Sequence, residues 1–178
     1  MTVRARVVGP SEVAALRPRL GELLIDSVEN GASVGFVLPL SPAEADAYWR
    51  RIEARVADGV VVLLAAGTDG EPIAGTVQLD VDTLPNQPHR ATVSKLLVHS
   101  SARRQGIGRA LMEALEREAR ERGRWLLTLD TATVAAERLY EGMGWHASGA
   151  IPDYAMNPDR SLTATTFYWK DLRVDSAG

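Results

Sequence analysis

Between an extended stretch at 91–99 and a strongly amphipathic one after it lies Arg103-Arg104-Gln105-Gly106-Ile107-Gly108-Arg109-Ala110, and this junction constrains the chain more than any other segment. Glycines at 106 and 108 let the backbone pass close to a bound group. The N–H groups of the first helical turn, unpaired within the helix, point outward at the positive end of its dipole. Such a mouth suits an anion, and a diphosphate fits it, with Arg103, Arg104 and Arg109 adding charge around it. Two glycines after a strand also make a plain tight turn with solvated arginines, so the segment alone leaves both readings open. It lacks the Lys-Ser or Lys-Thr of a P-loop, and Leu111 stands where a dinucleotide fingerprint needs its third glycine. Nucleotide hydrolysis and hydride transfer lose support accordingly.

The elements around the junction follow from periodicity. Val3, Ala5 and Val7 alternate with polar residues, which predicts an opening strand with one buried face. Ser11 is the expected cap of a helix carrying Val13, Leu16, Leu20, Leu23 and Leu24, which Pro18 should kink or divide and Asn30-Gly31 should end. Residues 31–40 form a Gly-rich, partly apolar loop suited to covering a pocket. Ser41, Pro42 and Glu44 spell a capping box with proline at the first helical position, and Gly59 stops that second helix. Val60–Ala66 reads as a strand buried on both faces, and Ile73–Val81 as its alternating hairpin partner across a turn at 68–70. Ala91–His99 is a fourth strand. Ile107, Leu111, Leu115 and Ala119 form the stripe of the following helix, whose other face is Arg and Glu, and Gly123 ends it. Trp125–Thr131, Ala135–Glu141, Trp145–Ile151 and Thr163–Leu172 then read as strand, helix, strand and strand.

The expected order is therefore βααβββαβαββ, an α/β (α+β) fold with a mixed sheet of about seven strands. One domain spans 1–178, with 173–178 as a frayed tail. A chain of 178 residues suits one core, and 20 basic against 23 acidic residues give no excess for binding nucleic acid. The absence of cysteine excludes disulfides, thiolate metal sites and a cysteine-linked acyl intermediate, and no metal site is expected. The longest apolar run, Val60–Ala66, falls far short of the roughly 20 residues of a membrane-spanning helix, and the first residues lack the pattern of a secretory signal. Cytoplasmic residence without membrane association is the expectation.

Two motifs now resemble the GNAT superfamily of N-acetyltransferases. Arg103, Gly106 and Gly108 match its cofactor signature, and Leu139-Tyr140-Glu141-Gly142-Met143-Gly144-Trp145 matches its second landmark, with Trp in place of Phe. The resemblance covers Ile73 to Leu172 and implies an acyl-CoA N-acyltransferase fold whose fourth strand bulges and splays from the fifth. Acetyl-CoA is then the expected co-substrate. Its diphosphate would lie against Arg103, Arg104, Gln105, Gly106, Ile107, Gly108, Arg109 and Ala110. Its pantetheine arm would lie against Leu96, Leu97 and Val98, with Thr133 and Ala136 on the far side. Thr133 replaces the asparagine common in the family.

The same resemblance gives Tyr140 the role of protonating the departing sulfur and makes the Val98 N–H the candidate for polarising the thioester carbonyl. A phenol of pKa about 10 keeps its proton at neutral pH and can serve as donor; the bland alternative is a core aromatic beside Leu139. The family often carries a glutamate base on the fourth strand, where this chain has Thr92, Ser94 and Lys95. Asp130 stands ready as base or as a binder of the cationic amine, with a helix cap as its structural alternative. His99 is the other titratable group near the expected cleft.

The stretches Gly149–Ala155 and Ala164–Lys170 resemble the branch that contains tabtoxin-resistance acetyltransferases, which implies a small amine acceptor and self-protection against a toxin. Ser33, Phe36, Asp130 and Tyr154 are the expected substrate contacts; Pro152 and Tyr154 serve equally well to close a hairpin. A protein N-terminus or lysine as acceptor, or a non-catalytic acyl-CoA sensor, would share the same cofactor residues. Family members often pair as homodimers, and the resemblance extends that expectation here.

Overall fold

The computed structural model describes residues 2–68 and 70–173. Its elements run β1 (Val3–Val8), α1 (Pro10–Glu29), α2 (Pro42–Ala57), β2 (Val61–Thr68), β3 (Gly75–Asp80), β4 (Arg90–Val98), α3 (Ile107–Glu121), β5 (Leu126–Thr131), α4 (Val134–Glu141), β6 (His146–Met156) and β7 (Leu162–Asp171), with a 3₁₀ turn at Ser100–Ala102. The order is the expected βααβββαβαββ. The strands form one sheet in the order β1-β2-β3-β4-β5-β7-β6, antiparallel except for the central pair β4–β5.

Strand β2 shows why the sheet needs cover on both faces. Val61, Leu63 and Ala65 enter one core with Leu20, Leu23, Leu24 and Trp49 of α1 and α2, while Val62, Leu64 and Ala66 enter the other with Leu111, Met112 and Leu115 of α3. Alternation of side chains along a strand sends successive residues to opposite layers, so a continuous apolar run is what a central strand between two helical layers requires. Full burial of a side chain such as Leu111 contributes about 1.5–3 kcal/mol. Strand β3 departs from its expected half-exposed pattern, because its polar residues are buried as well. The Thr76 hydroxyl donates to the Leu64 carbonyl at 2.8 Å, and the Gln78 amide donates to the Tyr48 hydroxyl at 2.9 Å.

Several boundaries moved for local reasons. Gly9, not Ser11, caps α1, because Pro10 takes the first helical position, where its fixed φ suits the helix and its missing N–H is not needed. The helix runs on through Pro18 undivided, and Gly31 follows its end at φ 85°. The capping box forms as expected, with the Glu44 N–H donating to the Ser41 hydroxyl and the Ser41 N–H to the Glu44 carboxylate. Val7 is 41% exposed, and the strand buries Val8 in its place. Residues 152–154, expected in a loop, belong to β6. The strand absorbs them through a bulge between Ile151 and Ala155, with Asp153 at φ 51°, and the turn to β7 falls at 157–161. The expected tail lies outside the described residues from 174 onward. Arg173 is held by Asp171 at 2.7 Å and stacks over the Trp125 ring at 3.5 Å.

One buried contact was invisible in the helix pattern. Glu116, on the side of α3 expected to face solvent, is 6% exposed and takes two hydrogen bonds of 2.8 Å from the Lys170 ammonium of β7. The Trp145 indole N–H also donates to Glu116 at 3.0 Å, and Lys170 donates to the Met143 carbonyl at 2.6 Å, just past the end of α4. Every polar group in the cluster is paired, which is the condition for an ion pair to survive burial. Removing one partner strands the other charge in the core. Lys170→Met should lower the free energy of unfolding by about 3–5 kcal/mol in urea titrations, and the double variant Glu116→Leu/Lys170→Met should recover at least about 1 kcal/mol of that loss.

Candidate active site

Strands β4 and β5 pair at only three positions, Arg90–Leu126, Ala91–Leu127 and Thr92–Thr128, and then separate. Strand β5 stays paired with β7 as far as Thr131, so β4 is the strand that turns away. The cause is a bulge. Thr76 pairs with Leu97 and Gln78 with Ser94, so Lys95 and Leu96 together oppose the single residue Val77, and Lys95 takes φ 53°. An extra residue in one strand bends it and sharpens its twist, which opens the gap. The Thr92 and Thr128 hydroxyls, 3.4 Å apart, mark the last cross-strand contact.

The ladder beyond the bulge decides which backbone groups face the gap. The His99 N–H donates to the Ala74 carbonyl at 2.8 Å, and antiparallel pairs exchange bonds at alternate positions. Leu97 is therefore bonded to Thr76, and the Val98 N–H and carbonyl point away from β3 toward the space that β5 has left. Of the three residues expected to bind a pantetheine arm, Leu97 has its backbone committed to the sheet, and Leu96 and Val98 form the accessible edge.

Two connected hollows occupy the gap. The larger, about 740 Å³, is lined by Leu96, Leu97, Val98, Arg103, Arg104, Gly106, Ile107, Gly108, Arg109, Thr133, Ala136 and Tyr140, and also by Asn30, Ala32 and Leu139, for which no cofactor contact was expected. Gln105 and Ala110 do not line it. The Gln105 amide turns back to the Ser101 carbonyl at 3.2 Å, and the Ala110 N–H is already bonded to Gly106 within the helix. Gly106 caps α3 in the left-handed conformation at φ 82°, which leaves the amides of the first turn directed outward. Arg109 reaches the Gly142 carbonyl at 3.4 Å and so ties α3 to the end of α4. The cradle is open: a β-carbon built on Gly106 meets nothing within 4 Å, and one on Gly108 meets Leu139 at 3.4 Å and Val98 at 3.8 Å. The residues present thus fit a diphosphate and an extended arm.

The smaller cavity, about 330 Å³, lies on the other side of Tyr140 and shares Ala32, Leu96, Thr133, Ala136 and Tyr140 with the groove. Ser33, Asp130 and Tyr154 line it, as does Lys95. Phe36 does not; it packs edge-on against Tyr48, ring centroids 5.3 Å apart, as part of the core under α2. The 31–40 loop forms a wall of this cavity through residues 32–35. It is fastened to the β6–β7 hairpin by the Ser33 hydroxyl donating to the Met156 carbonyl at 3.2 Å and by the Leu38 N–H donating to the Pro158 carbonyl at 2.9 Å. Asp130 does not cap α4; Thr133 holds that position, with no side-chain capping bond. His99 lines neither hollow. Its ring accepts from the Ser101 N–H and caps the 3₁₀ turn.

Tyr140 is 5% exposed, tilted against Trp145 and Tyr168, and among the described residues its hydroxyl has no hydrogen-bond partner. Burial and then the nearby Asp130 charge push its pKa well above that of an ordinary phenol, so it carries its proton throughout the physiological range. Tyr48 and Tyr168 are pushed up to about 12, both chiefly by burial.

The fold and the paired hollows define an acyl-CoA N-acyltransferase architecture. The chain is identified as a member of the GNAT family of acetyltransferases, whose model matches residues 25–145. A curated relative, an uncharacterized N-acetyltransferase from the hisH-hisA intergenic region of Azospirillum brasilense, is 34% identical over 111 residues. That match covers 59% of this chain, and the chain spans 61% of the relative's length. A Salmonella typhimurium protein solved with its cofactor acetyl-CoA superposes with a TM-score of 0.76 at 19% identity, over 100% of this chain and 98% of that one. A phosphinothricin acetyltransferase of Sinorhizobium meliloti in complex with acetyl-CoA gives 0.77 at 19% identity, over 97% and 89%. At these identities the likeness is one of fold. Among the described residues no helix is long and apolar enough to cross a membrane.

The raised tyrosines carry a testable linkage. A phenol whose folded pKa lies above its unfolded value of 10.0 favours the fold most fully below pH 10, and that contribution is lost as pH rises above it. Thermal unfolding followed from pH 8 to 11 should show stability falling above pH 10, and Tyr140→Phe should flatten that decline.

Proposed function

We propose that this chain transfers the acetyl group of acetyl-CoA to the primary amine of a small molecule. The observation that carries the reading is Tyr140, a buried, protonated phenol with an unpaired hydroxyl at the junction of the cofactor-sized groove and the smaller cavity. Two structural relatives that hold acetyl-CoA support the same co-substrate here. Held in the groove, acetyl-CoA supplies a thioester that a neutral amine opens at its carbonyl carbon, leaving an amide and a free thiol.

The protein's contribution is positioning and charge. The amides at the start of α3, with Arg103, Arg104 and Arg109 around them, bind the diphosphate. The exposed edge of Leu96 and Val98 holds the pantetheine arm, and the Val98 N–H donates to the carbonyl oxygen as it gains negative charge. Asp130 accepts the surplus proton of the incoming ammonium, directly or through water. Tyr140 donates its proton to the sulfur as the carbon–sulfur bond breaks, and the second proton, which the nitrogen sheds as the amide forms, passes through water to restore the phenol. The loop pinned over the acceptor cavity favours a small molecule over a protein chain. Dependence on acetyl-CoA supports residence in the cytoplasm.

Tyr140→Phe should lower kcat about 100-fold or more while acetyl-CoA affinity, measured by calorimetry, stays unchanged. Gly108→Glu should abolish acetyl-CoA binding, because it puts bulk and negative charge into the cradle. Gly108→Ala, which meets only ordinary contacts, should fold and bind. Normal turnover by Tyr140→Phe would remove the tyrosine from the mechanism.

A further inference from the structure

Two charged side chains of opposite sign line the acceptor cavity, Lys95 and Asp130, and they reach it from the two strands that part. Lys95 sits on the bulge in a left-handed conformation, φ 53°, which is strained for a residue with a β-carbon. Its ammonium lies 5.8 Å from the centre of the Tyr48 ring, and among the described residues no carboxylate stands within 4.0 Å of it. The Asp130 carboxylate likewise has no hydrogen-bond partner among the described residues. Burial pushes the Lys95 pKa down, and the Asp130 charge restores part of that loss. A strained backbone that holds a half-buried cation without a paired anion is disfavoured unless something fills the place opposite it.

We propose that the acceptor is a small zwitterion, an amino acid or a close amino-carboxylate derivative, whose carboxylate pairs with the Lys95 ammonium while its amine lies beside Asp130 and Tyr140. The proposal rests on the acetyltransferase reading and adds the charge pattern of its substrate. A cavity of about 330 Å³ is on the scale of a small ligand. Simple amines leave Lys95 without its anion, polyamines place a second cation against it, and a peptide N-terminus carries an amide where the free carboxylate is needed. Ser33, Thr165 and Tyr154 add further polar residues to the lining of the cavity.

The test is acetyl transfer to matched acceptors: each common L-amino acid, its amide and its decarboxylated amine, with acetyl-CoA binding measured in parallel by calorimetry. The wild type should favour at least one amino acid over its two partners by about tenfold or more in kcat/KM, mainly through KM. Lys95→Met should erase that preference with acetyl-CoA affinity unchanged, and Lys95→Arg should keep most of it. Unfolding midpoints of both variants check that the bulge is intact. Equal use of amino acid and amine, bound acetyl-CoA with no amino acid acetylated, or a preference that survives Lys95→Met overturns the zwitterion assignment and leaves acetyl-CoA binding standing. No binding of acetyl-CoA by the wild type overturns the acetyltransferase reading, and the zwitterion assignment with it.

Discussion

The one extra residue that a β-bulge inserts at Lys95 and Leu96, opposite Val77, is the constraint on which the rest of this structure depends. Without it, β4 and β5 would continue as a parallel pair and close the sheet through its centre. With it, the sheet keeps its order and its two helical layers but opens a wedge between its middle strands. Backbone groups that a sheet would normally pair are left facing a hollow, and unpaired buried amides are costly unless a ligand or water meets them. The gap therefore combines a rigid frame with unmet hydrogen-bonding capacity.

The elements around the wedge hold its edges in place. Helix α3 starts at the left-handed Gly106 and directs its first amides across the mouth, while its apolar side is buried against β2 and β3. Helix α4 carries Tyr140 on the opposite edge. Its far end is anchored through Arg109 to the Gly142 carbonyl and through Lys170 to the Met143 carbonyl. The buried Glu116–Lys170 pair thus links the helix that forms the anion cradle with the one that carries the phenol. Such a pair contributes geometry more than stability, since its desolvation offsets much of its attraction.

Charge within the wedge is divided by strand. Lys95 comes from β4 and Asp130 from β5, and the separation of the strands keeps them from neutralising one another in a direct pair. The tyrosine between the two hollows stays neutral because burial and the neighbouring carboxylate both disfavour phenolate. A neutral donor, a free carboxylate and an unpaired cation can coexist within one small space only because the backbone holds them apart.

Much of this was legible in the sequence. The Gly106–Gly108 junction, the capping box at Ser41, the doubly buried β2 and the tyrosine before Gly142 are local signals, because cap, turn and periodicity are set by neighbours along the chain. They determined the element order, the family and most of the groove lining. Contacts between residues distant in the chain were not legible: Glu116 with Lys170, Phe36 turning onto Tyr48 rather than the cavity, and Lys95 entering the acceptor space. Lys95 reads as an ordinary strand lysine until the register between β3 and β4 slips by one residue, and such a slip exchanges inside for outside. The sequence by itself determined which segments become helix or strand and where an anion can be held; only the tertiary structure decided which charges share a cavity, because that depends on strands meeting and parting across the whole sheet.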